Sequence, residues 1–263
     1  MSTRRDFLRD IAATASAAAL TTAIDAQAAP PPRKHRRWGM VIDLDRCSGC
    51  NACSVACRQE NNIPTYGPDP TFAGARPEWM SMLWQEPETS TGLPSLLPLP
   101  CMHCADPPCV KVCPVGATYK DPDGFTMQIW DRCIGCRYCM VACPYSRRSF
   151  NWTEPQWTAL EQQMLNPDVA TRPKGVVEKC TFCHHRVRRA DEEARLAGRE
   201  LTDAECQRLP ACAAACPAQA ITFGNLADPD SEVAKLAGTP RAFRLLEHLG
   251  TEPGVYYLEK DRG

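Results

Sequence analysis

Sixteen of the 17 cysteines in this 263-residue chain fall into four runs, and their spacing constrains the fold more than any pattern of apolar residues does. The tightest run is Cys133, Cys136, Cys139 and Cys143, a C-x2-C-x2-C-x3-C pattern closed by Pro144. Cys101, Cys104, Cys109 and Cys113 repeat it with two extra residues between the second and third cysteines, followed by Pro114. Cys47, Cys50, Cys53 and Cys57 make an earlier run in which Arg58 stands where proline follows the others. Cys180 and Cys183, then Cys212 and Cys216 ahead of Pro217, make a last run split by a long insertion. Cysteines this close cannot pair with one another without strain, and zinc ribbons use paired C-x2-C units rather than four-cysteine runs. The spacing is that of thiolates gathered around iron–sulfur clusters, three from one run and the fourth handed to a neighbouring cluster.

Hydrophobic residues make up 44% of the chain, but that share includes the cysteines, and 24 prolines break up the rest. Metal–thiolate bonds are therefore expected to do much of the work of an aliphatic core, and the chain without clusters should fold poorly. The formal charge of −1 counts every cysteine as neutral. Four clusters held by thiolates would add on the order of eight negative charges. Lys111, Arg137, Arg147, Arg148, Lys179, Arg186, Arg188 and Arg189 lie beside the cysteines, either to offset that charge or as solvated surface groups. No surplus of positive charge suggests a nucleic-acid footprint.

The amino terminus has a basic start with Arg4 and Arg5 ahead of Asp6, Phe7 and Leu8, a mildly apolar stretch from Ile11 to Ile24, and the small residues Ala26 and Ala28. These are the parts of an export signal over 1–28, of the twin-arginine type. A basic, proline-rich lead-in over 29–37 follows. Residues 38–44 read as a strand, and a short helix is expected after Cys50 through Glu60, stopped by Asn61, Asn62 and Pro64. Residues 64–100, with Trp79 and Trp84 but little periodicity, read as an insertion that wraps the core or meets a partner. Two β-rich runs around Asp121, Pro122, Asp123 and Gly124 predict a hairpin. His103, between two cysteines, is expected to bond a cluster sulfur or to be exposed. His184 and His185 open a charged helix running to about Gly198. Cys206 fits none of the runs and is left without metal. A strand over 221–223 precedes two tail helices, 231–236 and 241–249. No apolar span approaches the length that crosses a membrane.

Four such runs in this order, the last split as Cys180–Cys183 and Cys212–Cys216, resemble the four-cluster, ferredoxin-type iron–sulfur subunit of dimethyl-sulfoxide-reductase-type membrane oxidoreductases. The likeness covers roughly residues 38–226. It implies an α+β fold of two intertwined two-cluster modules, irregular and stabilised by clusters. The central module would be 96–152, and 38–95 would pair with 153–226, followed by a helical tail over 227–263. It implies four [4Fe-4S] clusters with exchanged ligands. Cluster 1 would take Cys47, Cys50, Cys53 and Cys216; cluster 2, Cys101, Cys104, Cys109 and Cys143; cluster 3, Cys133, Cys136, Cys139 and Cys113; cluster 4, Cys180, Cys183, Cys212 and Cys57. The stretch 166–183 and the tail 240–258 resemble exported members that work with a polytopic quinone-interacting membrane subunit. A molybdopterin-type catalytic subunit or a cytochrome would complete such a complex.

The expected function is an electron relay between quinone and a periplasmic partner, with no substrate bond made or broken in this chain. A reductase binding substrate at its own cluster would want an incomplete run, and all four are complete. A disulfide-stapled binding protein is the remaining alternative. No G-x-G-x-x-G, P-loop or H-E-x-x-H motif is present to support nucleotide, flavin or zinc-protease chemistry.

Overall fold

The computed structural model describes residues 36–64, 77–85 and 95–260. The expected signal over 1–28 and most of the expected lead-in over 29–37 lie outside them. Strand β1 (Trp38–Asp43) is buried on both faces, with Trp38, Met40, Val41 and Ile42 all shielded from water. It therefore runs through the middle of a sheet. Strand β8 (Ile221–Asn225) pairs antiparallel with one edge of β1, and β10 (Val255–Leu258) pairs parallel with the other. A short β9 (Ala242–Phe243) closes the order β8-β1-β10-β9.

Each cysteine run carries its third cysteine on a helix. These are α1 (Ala52–Glu60) with Cys53 and Cys57, α2 (Pro108–Lys111) with Cys109, α3 (Tyr138–Val141) with Cys139, and α7 (Ala211–Ala214) with Cys212. Helix α1 packs against α7, and α2 against α3. The strands repeat that symmetry. β4 (Thr118–Lys120) follows the second run and pairs with β5 (Thr126–Gln128) ahead of the third, just as β8 follows the fourth run and pairs with β1 ahead of the first. The first and last runs thus form a pair around β1 and β8, with the second and third inserted between them.

Several expectations correspond closely to these elements: the first strand, the helix ending at Glu60, the Pro-Asp-Gly hairpin, and the helix from His184, here α5 (His184–Leu196). Between the third and fourth runs lie β6 (Ser149–Phe150), α4 (Ala159–Gln163) and β7 (Val177–Glu178), with β6 and β7 paired antiparallel. A capped α6 (Asp203–Gln207) sits inside the split of the last run.

Two expectations are corrected. The insertion has regular structure: β2 (Ser81–Gln85) pairs antiparallel with β3 (Ser95–Leu99), placing Trp79, Met80, Leu97 and Leu99 in the core. Its signal was hidden by Pro98 and by the flanking prolines. In the tail, α8 (Glu232–Ala237) forms with Ser231 as its cap, but no helix spans 241–249. Ala242 and Phe243 pair with Leu258 and Tyr257 of β10, leaving only a 3-10 turn at Glu247–Leu249. The Phe243 ring packs 5.7 Å from that of Tyr257, and this pairing with β10 outweighs the helical propensity of the Leu-rich segment. No helix among the described residues is long and apolar enough to cross a membrane.

Candidate metal centre

The backbone around each run bends the same way. The residue before the second cysteine has positive φ in all four: Gly49 (71°), His103 (43°), Gly135 (69°) and Phe182 (54°). A left-handed residue turns successive N–H groups inward and makes a concave site for an anion. Glycine adopts that conformation without cost. At Gly135 a Cβ would also fall 2.4 Å from the Gly175 carbonyl oxygen, so no other residue fits there. His103 and Phe182 hold the same strained position in the second and fourth runs, and their rings stack 3.8 Å apart.

The expectation for His103, a bond to sulfur or an exposed ring, is corrected on both counts. It is buried, its Nε2 lies 3.0 Å from the Cys180 carbonyl, and its Nδ1 accepts the Thr126 N–H at 3.2 Å. Nδ1 as acceptor leaves Nε2 as donor, so the ring is neutral, and burial with nearby Lys179 holds its pKa well below the usual value. His184 sits edge-on to Phe125, and His185 bonds Glu60 at 2.7 Å. Both serve the start of α5 rather than a sulfur.

The thiols fall into neighbourhoods. Burial pushes Cys53 up to about 11, with Cys47, Cys216 and Cys50 adding to the rise. Cys57 is raised well above the usual value by burial and by Cys180, Cys183 and Cys212, all of another run. Cys104 is pushed up to about 12 by burial and by Cys101, Cys109 and Cys143. Cys139 is raised by burial, although Arg148 lowers it, and it feels Cys109 and Cys133. Burial pushes Cys113 up, yet the N–H groups of Thr118, Val115 and Ala117 converge on its sulfur and hold it below the usual thiol value. Electrostatic influence between thiols of different groups links them in one line: Cys53 acts on Cys57 and Cys212, Cys101 on Cys180, and Cys109 on Cys139. Of the 17 cysteines only Cys50 and Cys136 are exposed, and they belong to the two end groups of that line.

The donor set fits anionic clusters. None of the cysteines is in a disulfide. Backbone N–H groups point at sulfur from Ala220 to Cys216 (3.3 Å), Phe182 to Cys180 (3.4 Å), Ala211 to Cys183 (3.4 Å) and Val177 to Cys133 (3.5 Å). Such bonds favour the ionised thiolate. Buried thiols that raise one another's pKa would stay protonated in isolation, and metal displaces those protons as it binds. Among the described residues no three His, Cys, Asp or Glu side chains close around a single ion. A four-iron cube spreads its ligands more widely than one ion does.

Some contributors were invisible in sequence. Asn61, read only as a helix stop, points Nδ2 at Cys57 and Cys183 sulfurs, 3.7 Å from each. Met82 places its sulfur 4.0 Å from that of Cys53. Thr251, far along in the tail, hydrogen-bonds the Cys104 thiol and meets Tyr145 Oη at 2.6 Å. Cys206 stands apart: it is pushed up to about 12 by burial, and the charges around it are Arg36, Asp203, Glu205 and Asp191 rather than other thiols. Of the eight basic residues beside the cysteines, Arg148 and Lys179 are buried, while Lys111 and Arg189 pair with Asp106 and Asp168 at the surface.

Neighbouring thiols on a repeated turn-and-helix motif define an iron–sulfur protein of the ferredoxin type. The family model of a 4Fe-4S dicluster domain matches residues 94–164, the central pair of runs. The menaquinone reductase iron–sulfur cluster-binding subunit of Nitratidesulfovibrio vulgaris is 48% identical over 234 residues, covering 85% of this chain and 89% of that one. A putative dimethyl sulfoxide reductase iron–sulfur subunit of Halobacterium salinarum is 42% identical, covering 84% and 78%. An Hdr-like menaquinol oxidoreductase iron–sulfur subunit of Archaeoglobus fulgidus is 38% identical over 98% of both chains. The chain belongs to the iron–sulfur subunits of dimethyl-sulfoxide-reductase-type oxidoreductase complexes. Its cofactors are [4Fe-4S] clusters, and it is an electron-transfer component rather than a catalytic subunit.

Proposed function

We propose that the chain relays electrons through four [4Fe-4S] clusters, arranged as cluster 1, cluster 4, cluster 2 and cluster 3. The ligands are those the resemblance implies, with Cys57 and Cys216 exchanged between the outer runs and Cys113 and Cys143 between the inner ones. The observation that carries this reading is the line of thiol neighbourhoods, buried in its middle and exposed only at Cys50 and Cys136. The fold is then two intertwined ferredoxin-like modules, 96–152 inserted between 38–95 and 153–226. The clusters would supply one-electron chemistry. The chain's own residues hold them in sequence, exclude water from the inner two, and present the outer two to partners. Exposed apolar residues flank Cys136 in sequence: Ile134, Tyr138 and Val141.

The partners proposed are a polytopic quinone-interacting membrane subunit at one end and a periplasmic redox protein, a molybdopterin-type catalytic subunit or a cytochrome, at the other. Two of the relatives carry menaquinone or menaquinol in their names. Association with the membrane would run through those partners. The signal over 1–28 would carry the folded protein to the periplasm.

Iron and sulfide analysis of anaerobically purified protein should give about sixteen irons per chain. Clearly fewer would revive the reading of a reductase with an open cluster, and none would select the disulfide-stapled alternative. Replacing Arg4 and Arg5 together by lysine should leave the protein in the cytoplasm, measured by cell fractionation; unchanged export would refute the signal.

A further inference from the structure

Four side chains of the ordinarily charged types Arg, Lys and Glu are buried among the described residues: Arg148, Arg172, Lys179 and Glu178. Arg172 and Glu178 pair with each other. Arg148 and Lys179 have no carboxylate partner among the described residues. A buried cation without an anion is costly, so each needs a negative group that the side chains do not provide. Both lie against sulfur ligands or the loops that carry them. Arg148 donates from Nη2 to the Cys109 sulfur at 3.0 Å and from Nη1 to Thr118 Oγ1 and Gln128 Oε1. It also stands beside the Cys139 thiol. Lys179 donates from Nζ to the Cys180 carbonyl at 2.6 Å, the same oxygen that His103 Nε2 reaches at 3.0 Å from between Cys101 and Cys104.

These two positions are the two junctions that cluster 2 shares with its neighbours in the relay. Lys179 lies where the Cys180 loop meets the Cys101–Cys104 loop, and Arg148 lies where Cys109 meets Cys139. The group flanked by both is the same: Cys101, Cys104, Cys109 and Cys143. Lys120 adds a third cation there, donating from Nζ to the Cys104 carbonyl at 2.7 Å. Around the outer runs, by contrast, the side-chain donor to sulfur is the neutral Asn61, which reaches Cys57 and Cys183 of cluster 4, and the Glu60 carboxylate near Cys183 is matched by Arg186.

We infer that Arg148 and Lys179 are positioning residues for electrons: their buried charges raise the reduction potential of cluster 2, so that the water-free interior of the relay is not an uphill step. An added electron makes a cluster more negative, and removal from water opposes that. Clusters 1 and 3 have solvent at their exposed cysteines to relieve it. Cluster 2 has these cations, which are poorly screened at such depth, and the guanidinium of Arg148 stays charged at any working pH. The inference rests on the proposed ligand sets.

The test is an anaerobic redox titration of the whole protein followed by electron paramagnetic resonance, alongside iron analysis. Arg148→Gln should shift the signals of clusters 2 and 3, and Lys179→Gln those of clusters 2 and 4. One signal should therefore move to lower potential in both variants, each time by about tenfold or more in its reduction equilibrium, about 59 mV for one electron. Arg148→Lys, which keeps the charge, should restore most of that shift. Full iron with no signal moving, or no signal common to the two variants, would overturn the inference. A wild-type protein with far fewer than about sixteen irons would instead refute the four-cluster reading. Should a buried variant fail to load its clusters, Lys120→Gln, at a half-buried site, must lower one signal of a fully loaded protein, and an unmoved titration there overturns the inference as well.

Discussion

Cys57→Ala should lose about a quarter of the iron, and the cluster that disappears should be the one lost in Cys183→Ala, not the one lost in Cys53→Ala. Cys53 and Cys57 lie one turn apart on α1, so sequence proximity alone would assign them to the same metal. The Cys57 thiol instead sits among Cys180, Cys183 and Cys212. Iron content and the identity of the missing paramagnetic signal read the outcome directly. Loss of metal–thiolate bonds is also loss of folding free energy, against a total stability of about 5–15 kcal/mol for a typical domain. The α1–α7 half should therefore become sensitive to protease, while the central pair of runs keeps its clusters. Cys206→Ser is the control and should retain all of its iron. If Cys57→Ala removes the same cluster as Cys53→Ala, the ligand exchange is wrong.

Arg172→Leu should be the most destabilising substitution away from the cysteines. Arg172 Nε donates to Glu178 Oε2 at 2.5 Å, Nη1 to the Asn61 carbonyl at 2.6 Å, and Nη2 to that of Asn62 at 2.9 Å. Its guanidinium lies over the rings of Trp79 and Trp130, 4.9 and 5.8 Å from their centroids. One side chain thus joins the end of α1, the insertion, the approach to the third run and strand β7. Removing it strands a buried carboxylate, a loss of about 3–5 kcal/mol. The double variant Arg172→Leu with Glu178→Leu should recover much of that loss. Denaturant unfolding under anaerobic conditions, followed by the visible absorbance of the clusters, measures both; a single-variant loss below about 1 kcal/mol would sink the account.

The effect should depend on pH with a definite sign. Burial raises the Glu178 pKa even though Arg172 lowers it. A carboxyl raised in the folded state favours folding below its unfolded pKa, and that contribution is lost as pH rises through the folded value. Without Arg172 the folded pKa rises further, so the deficit of Arg172→Leu should be larger at pH 8 than at pH 5.

Much of the candidate site can be read from the chain because its chemistry is local. Cys133, Cys136 and Cys139 lie within one turn and one short helix, so their spacing alone implies a shared metal, and Gly49 and Gly135 announce the left-handed turn before the second cysteine. His103 and Phe182 hold that same turn without a glycine to mark it, because stacking of one ring on the other offsets the strain. The tail shows the limit more plainly. Residues 241–249 have helical composition, yet Ala242 and Phe243 become a strand because β10 offers them a hydrogen-bonding partner and the Tyr257 ring to pack on.

By itself the sequence determined how the cysteines group into runs, how many fall in each, and that Cys206 stands outside them, since those follow from spacing over a few residues. Only the tertiary structure decided which runs share an interface, because that depends on β1 meeting β8 and α1 meeting α7 across most of the chain. It also decided which of the basic residues are counter-charges. Arg148 and Lys111 look alike in sequence, and burial against a sulfur is what separates the first from the second.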